Sequence, residues 1–457
     1  MQQSETVARP SGRALFYTGS AENFRDSSFF RQLGHPAGRV SLLMFRRALH
    51  SAHRGYLFVP TEALVIRSAA IRKTVLLLCS FLVAATTASG QQVFSGTASD
   101  GSLYQFVAPA TWNHQLVLYA HGIVDPQEPI ALPSDSGFTE FRDALVAQGF
   151  AVGYSSYAAN GFAIKEGATD TDQLRGVFAR LVGKPAKTFL VGVSLGGGVV
   201  IDLAERFPQH YDGALPMCGL LGGSPLEVEY VGNSRVLFDY FFPGVIPGTL
   251  LHTPLLPYDP SATASPNIGQ LVAETLITGM DPSVSPTLPT LQLADALGLE
   301  AASPTEVITG LVEVLGFDVR YVNDLLVRTD LASPYDNRFI WYTGSLNDRA
   351  LNAGVERVKG TIEGFDYLFR YYQPTGLVKI PTVTLHTTRD PLVPYWHEAV
   401  YHLLASERHR EGLLVQQSVN RFGHCEFQAS EVVHAFSGLV GWVEYGIKPS
   451  GGDVTAP

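Results

Sequence analysis

A chain of 457 residues that is 46% hydrophobic and 16% charged has ample material for a packed core, which excludes a disordered protein. At about 150 residues per domain, the length allows two or three domains, or one large α/β domain with insertions. Charge is uneven: residues 1–90 carry 11 Lys and Arg against 4 Asp and Glu, and the rest carries 21 against 38. An acidic body without a basic stripe excludes nucleic acid as a partner.

Residues 1–70 are Arg-rich and lack clean periodicity. Arg72-Lys73 then precedes the apolar run Thr74–Ala85, followed by Thr86-Thr87-Ala88-Ser89-Gly90. This is the charged, apolar and small-residue order of a secretory signal peptide, so residues 1–90 are expected to be an N-terminal extension plus signal. The run has about 12 apolar residues against the roughly 20 of a membrane span, so no stable span is expected after cleavage. The competing reading is an N-terminal anchor. A signal this far along the chain implies that the true start lies near Met44 or Val65, the alternative being a disordered extension. Apart from Cys79, only Cys218 and Cys425 remain, and a secreted (periplasmic or extracellular) location permits one bridge between them.

Gln92–Thr97 and Ser102–Val107 read as a hairpin around Asp100-Gly101. Gln115–Ala120 is a buried strand leading to His121-Gly122-Ile123. A helix is expected at 138–148, a strand at 150–154, and a helix at 170–181 with Thr169 or Asp170 as its N-cap. Thr188–Val193 is a β-branched, apolar run that passes through Gly192-Val193-Ser194-Leu195-Gly196 into the helical pattern 199–207. A strand, a sharp turn with a serine at its apex and a helix make a nucleophile elbow, with Ser194 as the nucleophile. Another strand is expected at 213–218, and strands alternating with helices imply a mainly parallel sheet covered on both faces.

From 219 to 376 the alternation stops. This Pro-rich stretch shows helical runs at 268–278, 289–297, 304–315 and, interrupted by glycines, 353–372; it reads as a mainly helical cap. Its aromatic cluster, residues 238–244, either lines an acyl or aryl pocket or packs the insertion onto the core. The sheet pattern returns with strands at 378–386 and 412–419 and helices at 395–405 and 429–445. The core is thus 91–218 plus 377–450, with a tail at 451–457 expected to be disordered.

A serine hydroxyl needs a base, and the base an orienting acid. At the C-terminal ends of parallel strands, Asp390 and His424 fit these roles, and the order Ser194, Asp390, His424 is the one this elbow uses. The N–H groups of Ile123 and Leu195 are the expected oxyanion donors, and His121 is a brace for its loop. His397 and His402 are five apart, where a zinc-binding H-E-x-x-H needs four, and there is no Walker motif or G-x-G-x-x-G. No metal or cofactor is implied.

With these residues, Val93–Pro449 resembles an α/β-hydrolase. The resemblance rests on His121-Gly122, Gly192–Gly196, Arg389-Asp390 with Val393-Pro394, and Gly423-His424-Cys425. It implies an eight-stranded, mostly parallel sheet with a helical cap inserted after strand six. His424-Cys425 is also similar to tannases and feruloyl esterases, where cysteines beside the serine and the histidine form a bridge. Here Val193 precedes Ser194 instead. The family fold would put the end of the strand at Cys218 beneath the histidine loop, which implies a Cys218–Cys425 disulfide; the alternative is a buried free pair. The expected activity is serine hydrolysis of a small, partly apolar carboxylic ester. A peptidase or amidase of the same fold, and a non-enzymatic binding protein on a hydrolase scaffold, are the alternatives.

Overall fold

The computed structural model describes residues 90–252 and 268–455. The expected signal peptide and start site lie outside these residues. Nine strands form one sheet in the order β1-β2-β4-β3-β5-β6-β7-β8-β9. They are β1 (Gln92–Thr97), β2 (Leu103–Ala108), β3 (Gln115–Ala120), β4 (Ala151–Ser155), β5 (Lys187–Val193), β6 (Gly213–Met217), β7 (Thr382–Arg389), β8 (Leu414–Phe422) and β9 (Gly452–Asp453). β2 is antiparallel to both β1 and β4, and every other pairing is parallel.

The eight strands implied by the resemblance are therefore joined by a ninth. Gly452 and Asp453, in the tail expected to lack structure, pair with Gln417 and Ser418 at the sheet edge. Two residues are too short a run to leave a strand pattern in a sequence.

Both faces of the sheet are covered, and strand residues alternate between them. Leu116, Leu118 and Ala120 of β3 pack on one face with α2 (Ile164–Leu181) and α3 (Leu195–Arg206). Val117 and Tyr119 pack on the other with α1 (Ser136–Ala147) and α11 (Ala429–Tyr445). α2 starts six residues before its expected start. Asp170 is no cap: it is buried inside the helix, where Oδ2 accepts from the Ala158 N–H at 2.7 Å. Gly167, which reads as a breaker, is where α2 meets its neighbours; a Cβ there would lie 2.9 Å from Val199 and 3.0 Å from the Tyr157 ring.

Between β6 and β7 the described residues contain α4 (Ser224–Phe241), α5 (Ile268–Met280), α6 (Pro289–Leu297), α7 (Pro304–Arg328), α8 (Asp348–Gly354) and α9 (Ile362–Tyr371). They share a core of their own, built on Val236, Phe238, Leu276, Leu293, Leu311 and Leu315. α7 begins at an N-cap, where Ser303 Oγ accepts from the Glu306 N–H at 3.2 Å, and runs 13 residues past its expected end at Leu315. Gly316 does not stop it. α10 (Trp396–Glu407) follows β7. α11 opens on a Gln428/Glu431 capping box and stops at Gly446, whose φ is 71°. Among the described residues, no helix is long and apolar enough to cross a membrane.

Candidate active site

β5 hands the chain to α3 through one residue. Ser194 has φ 57° and ψ −125°, a backbone that L-residues rarely adopt. The crowding that forces this turn also fixes its flanks. A Cβ on Gly192 would lie 2.3 Å from Gly196 O, and one on Gly196 would lie 2.1 Å from Ala120 O. Only glycine fits at either position. Leu195 opens α3, so its N–H has no acceptor within the helix. The backbone at Gly122 lies against the serine, for a Cβ there would be 3.3 Å from Ser194 Cβ. Ile123 follows directly. His121 is stacked on Tyr157 with ring centroids 3.8 Å apart, and the Tyr157 hydroxyl donates to His121 O at 3.0 Å. Burial lowers the pKa of His121, which favours a neutral ring.

Asp390 follows β7, and its two oxygens are used differently. Oδ1 accepts from the N–H groups of Leu392 and Val393, both at 2.9 Å. Oδ2 lies 2.7 Å from His424 Nδ1. Burial opposes ionisation of this carboxyl, but the charges and hydrogen bonds of His424 and His386 outweigh it and bring the pKa to about 2. The other nitrogen of His424, Nε2, lies 2.8 Å from Ser194 Oγ. Two hydrogen bonds hold the histidine loop to β7: Gly423 N–H donates to Arg389 O at 3.0 Å, and Thr387 Oγ1 donates to Gly423 O at 2.6 Å.

Cys218 and Cys425 form a disulfide, with Cα atoms 5.4 Å apart. Both have positive φ, 41° and 58°, like Ser194. Positive-φ backbone thus flanks both the serine and the histidine, although His114, Leu288, Asp330, Leu331 and His409 also adopt it elsewhere. Cys218, His424 and Cys425 lie close enough together to suggest a metal cluster, but the bonded sulfurs are not thiolates and leave His424 alone as a ligand.

α7 crosses the site and is fixed at both ends. Glu306 pairs with Arg389 at 3.2 Å, next to Asp390. A Cβ on Gly310 would sit 2.9 Å from Pro391. At the far end, Asp324 accepts from Phe162 N–H at 2.7 Å, and Arg328 reaches Glu166 at 3.0 Å. Arg320 and Tyr321 of α7 face Ile123, Val124, Asp125 and Glu128 across a polar cleft. Tyr321 also borders an apolar pocket walled by Phe162, Val231, Phe317, Val322 and Tyr335 among others. Glu227 lies on its wall, and among the described residues its Oε1 has no partner. The aromatic cluster at 238–244 does not line this cavity. Phe238 is fully buried in the core of the cap, and the Phe242 ring packs against it at 5.2 Å.

His386 and Glu398 behind Asp390, and Glu306 above it, went unassigned in the sequence. The available signal was polarity: Thr382, Thr384 and His386 put a polar face on a buried strand whose other face carries Val383 and Leu385. His397 and His402 part company, His397 fully buried against Glu227 at 3.1 Å and His402 exposed.

No family model matches the chain, and no curated protein does. Among solved structures it is similar to feruloyl esterase B from Aspergillus oryzae, at 13% identity and a TM-score of 0.48, over 79% of this chain and 82% of that one. A second esterase from Aspergillus oryzae gives 13% and 0.45, over 79% and 80%. An acylaminoacyl peptidase from Pyrococcus horikoshii gives 9% and 0.37, over 73% of this chain and 37% of that one. The strand order, the antiparallel β2, the turn at Ser194 and the helices inserted after β6 give this chain the α/β-hydrolase fold.

Proposed function

We propose that this protein is a secreted serine hydrolase that cleaves carboxylic esters through an acyl-enzyme. The supporting observation is the single file of Ser194 Oγ, the His424 ring and Asp390 Oδ2, with spacings of 2.8 and 2.7 Å. In this reading Ser194 Oγ attacks the ester carbonyl carbon as its proton passes to His424 Nε2. The tetrahedral oxyanion is met by the N–H groups of Ile123 and Leu195, each contributing about 3 kcal/mol. The C–O bond to the alcohol then breaks, and the alcohol leaves with the proton from His424. A water repeats the sequence: its proton goes to Nε2, its oxygen bonds to the acyl carbon, and Ser194 recovers a proton as the acid departs. Asp390 keeps Nδ1 protonated, so that Nε2 is the basic nitrogen.

The substrate in this proposal is a small or medium ester with an apolar group, supported by the apolar cavity that adjoins the Ile123 cleft at Tyr321. Export is supported by the signal-like order of residues 72–90 and by the disulfide.

A panel of chromogenic esters of graded acyl length, with matched amides, tests the proposal on wild type and Ser194→Ala. Ester turnover should fall by roughly 10⁴-fold or more in the variant. Faster cleavage of amides than of esters would indicate a peptidase. No turnover of either would leave a binding protein on this scaffold.

A further inference from the structure

His386 is fully buried within β7 with acceptors on both of its nitrogens. Nε2 lies 2.9 Å from Val393 O and 3.4 Å from Asp390 Oδ2. A carbonyl only accepts, so Nε2 carries a hydrogen. Nδ1 lies 3.3 Å from Glu398 Oε1. The other oxygen of Glu398 accepts from Thr384 Oγ1 at 2.7 Å and from Gln416 Nε2 at 2.5 Å. His386 is therefore flanked by the acid of Glu398 on its Nδ1 side and by that of Asp390 on its Nε2 side. Asp390 Oδ2 in turn is shared by two imidazoles, His424 in front and His386 behind.

We infer that His386, an imidazolium held between Glu398 and Asp390, is a positioning residue that acts on His424 through the Asp390 carboxylate. The inference rests on the esterase reading above. With Oδ1 held by two amides and Oδ2 by His424 and His386, the Asp390 carboxylate has one orientation. The positive charge behind it also offsets part of the field that Asp390 exerts on His424.

The groups facing His386 are Asp390 from the loop after β7, Glu398 and His397 from α10, and Glu227 from α4, with the Tyr395 ring centroid 5.7 Å away. Burial favours the neutral forms of His397 and Glu227, so the acids left to act on the ring are Asp390 and Glu398. Burial also works against charge on His386, but the hydrogen bonds and charges of Asp390 and Glu398 outweigh it and raise its pKa to about 10. His424 is faced by Asp390 and Ser194, and by Glu313 from α7.

The sign of the effect follows. Without the charge on His386, Asp390 stabilises the His424 imidazolium more strongly, and the base is lost at a higher pH. His386→Gln keeps a donor towards Val393 O but removes the charge. The acid limb of kcat/KM for a short-chain ester should move upward by roughly half to one pH unit, since a charge one carboxylate away acts more weakly than the 1–3 units of a direct pair. A purely structural histidine would lower stability and leave that limb in place, and an unmoved limb overturns the inference. Should His386→Gln fail to fold, ring ¹⁵N shifts of histidine-labelled wild type decide instead. Both His386 nitrogens should stay protonated from pH 6 to about pH 9, and a neutral ring at pH 7 overturns the inference. A folded wild type with no ester turnover refutes the parent reading instead, and the inference with it.

Discussion

Cys218 and Cys425 are joined across 207 residues of sequence, and Cys425 is the neighbour of His424. The bond ties the loop that carries the histidine to the end of β6, beside the strand that delivers Ser194. Replacing both cysteines with serine should lower stability by about 2–5 kcal/mol, as expected for a bridge that closes a long loop. It should lower kcat more than it raises KM, because the loop that carries His424 is no longer held. Thermal melting with and without reductant, alongside kinetics, checks this. An unchanged melting temperature in the double variant would contradict it.

The glycines of the elbow should tolerate nothing larger. Gly196→Ala puts a methyl 2.1 Å from Ala120 O, and backbone cannot give way as a side chain end can. Little folded protein is expected from Gly192→Ala or Gly196→Ala. Gly316→Ala in α7 is the control: nothing lies within 4 Å of its Cβ position, and alanine in a helix interior should add up to about 1 kcal/mol. Urea denaturation of the three variants separates the two cases.

Stability should depend on pH in two opposite directions. The pKa of Asp390 is depressed from 3.8 to about 2, so its contribution is full above pH 4 and is lost as the pH falls towards 2. The pKa of His386 is raised from 6.5 to about 10, so its contribution is full below 6.5 and is lost as the pH rises through 10. These two groups place the plateau between about pH 4 and 6.5. Urea midpoints across the pH range should show it, with His386→Gln flattening the alkaline decline and Asp390→Asn the acid one. An alkaline decline that survives His386→Gln would contradict the assignment.

The cavity should set chain-length preference. Val231 lies on its wall and is buried, so Val231→Trp takes up much of the space. Turnover of long-chain and aryl esters should fall about tenfold or more, the loss expected when binding contacts worth about 1.4 kcal/mol disappear. Acetate esters should be little affected. An equal loss on all esters would show that the cavity does not take part.

What the sequence made legible was local. The turn at Ser194 is written in a handful of consecutive residues, because its steric demands fall on its immediate neighbours. α6 and α11 have the bounds read from the sequence, 289–297 and 429–445. Where tertiary packing overrides local preference, the sequence misleads. Gly167 and Gly316 look like breakers, but each lies inside a helix that packs along its length. α4 went unread because its buried residues, among them Tyr230, Ser234, Arg235 and Phe238, surround the helix rather than form a stripe. The contacts of His386 and Glu398 were illegible for a similar reason: each acquires its partners only when β7, α10 and the Asp390 loop come together.

A fluorophosphonate probe on the folded protein, followed by peptide mapping, tests the central claim most directly. The account predicts one adduct, on Ser194, absent from Ser194→Ala and formed much more slowly in His424→Gln. Labelling of a different serine, or none in folded protein, would contradict it.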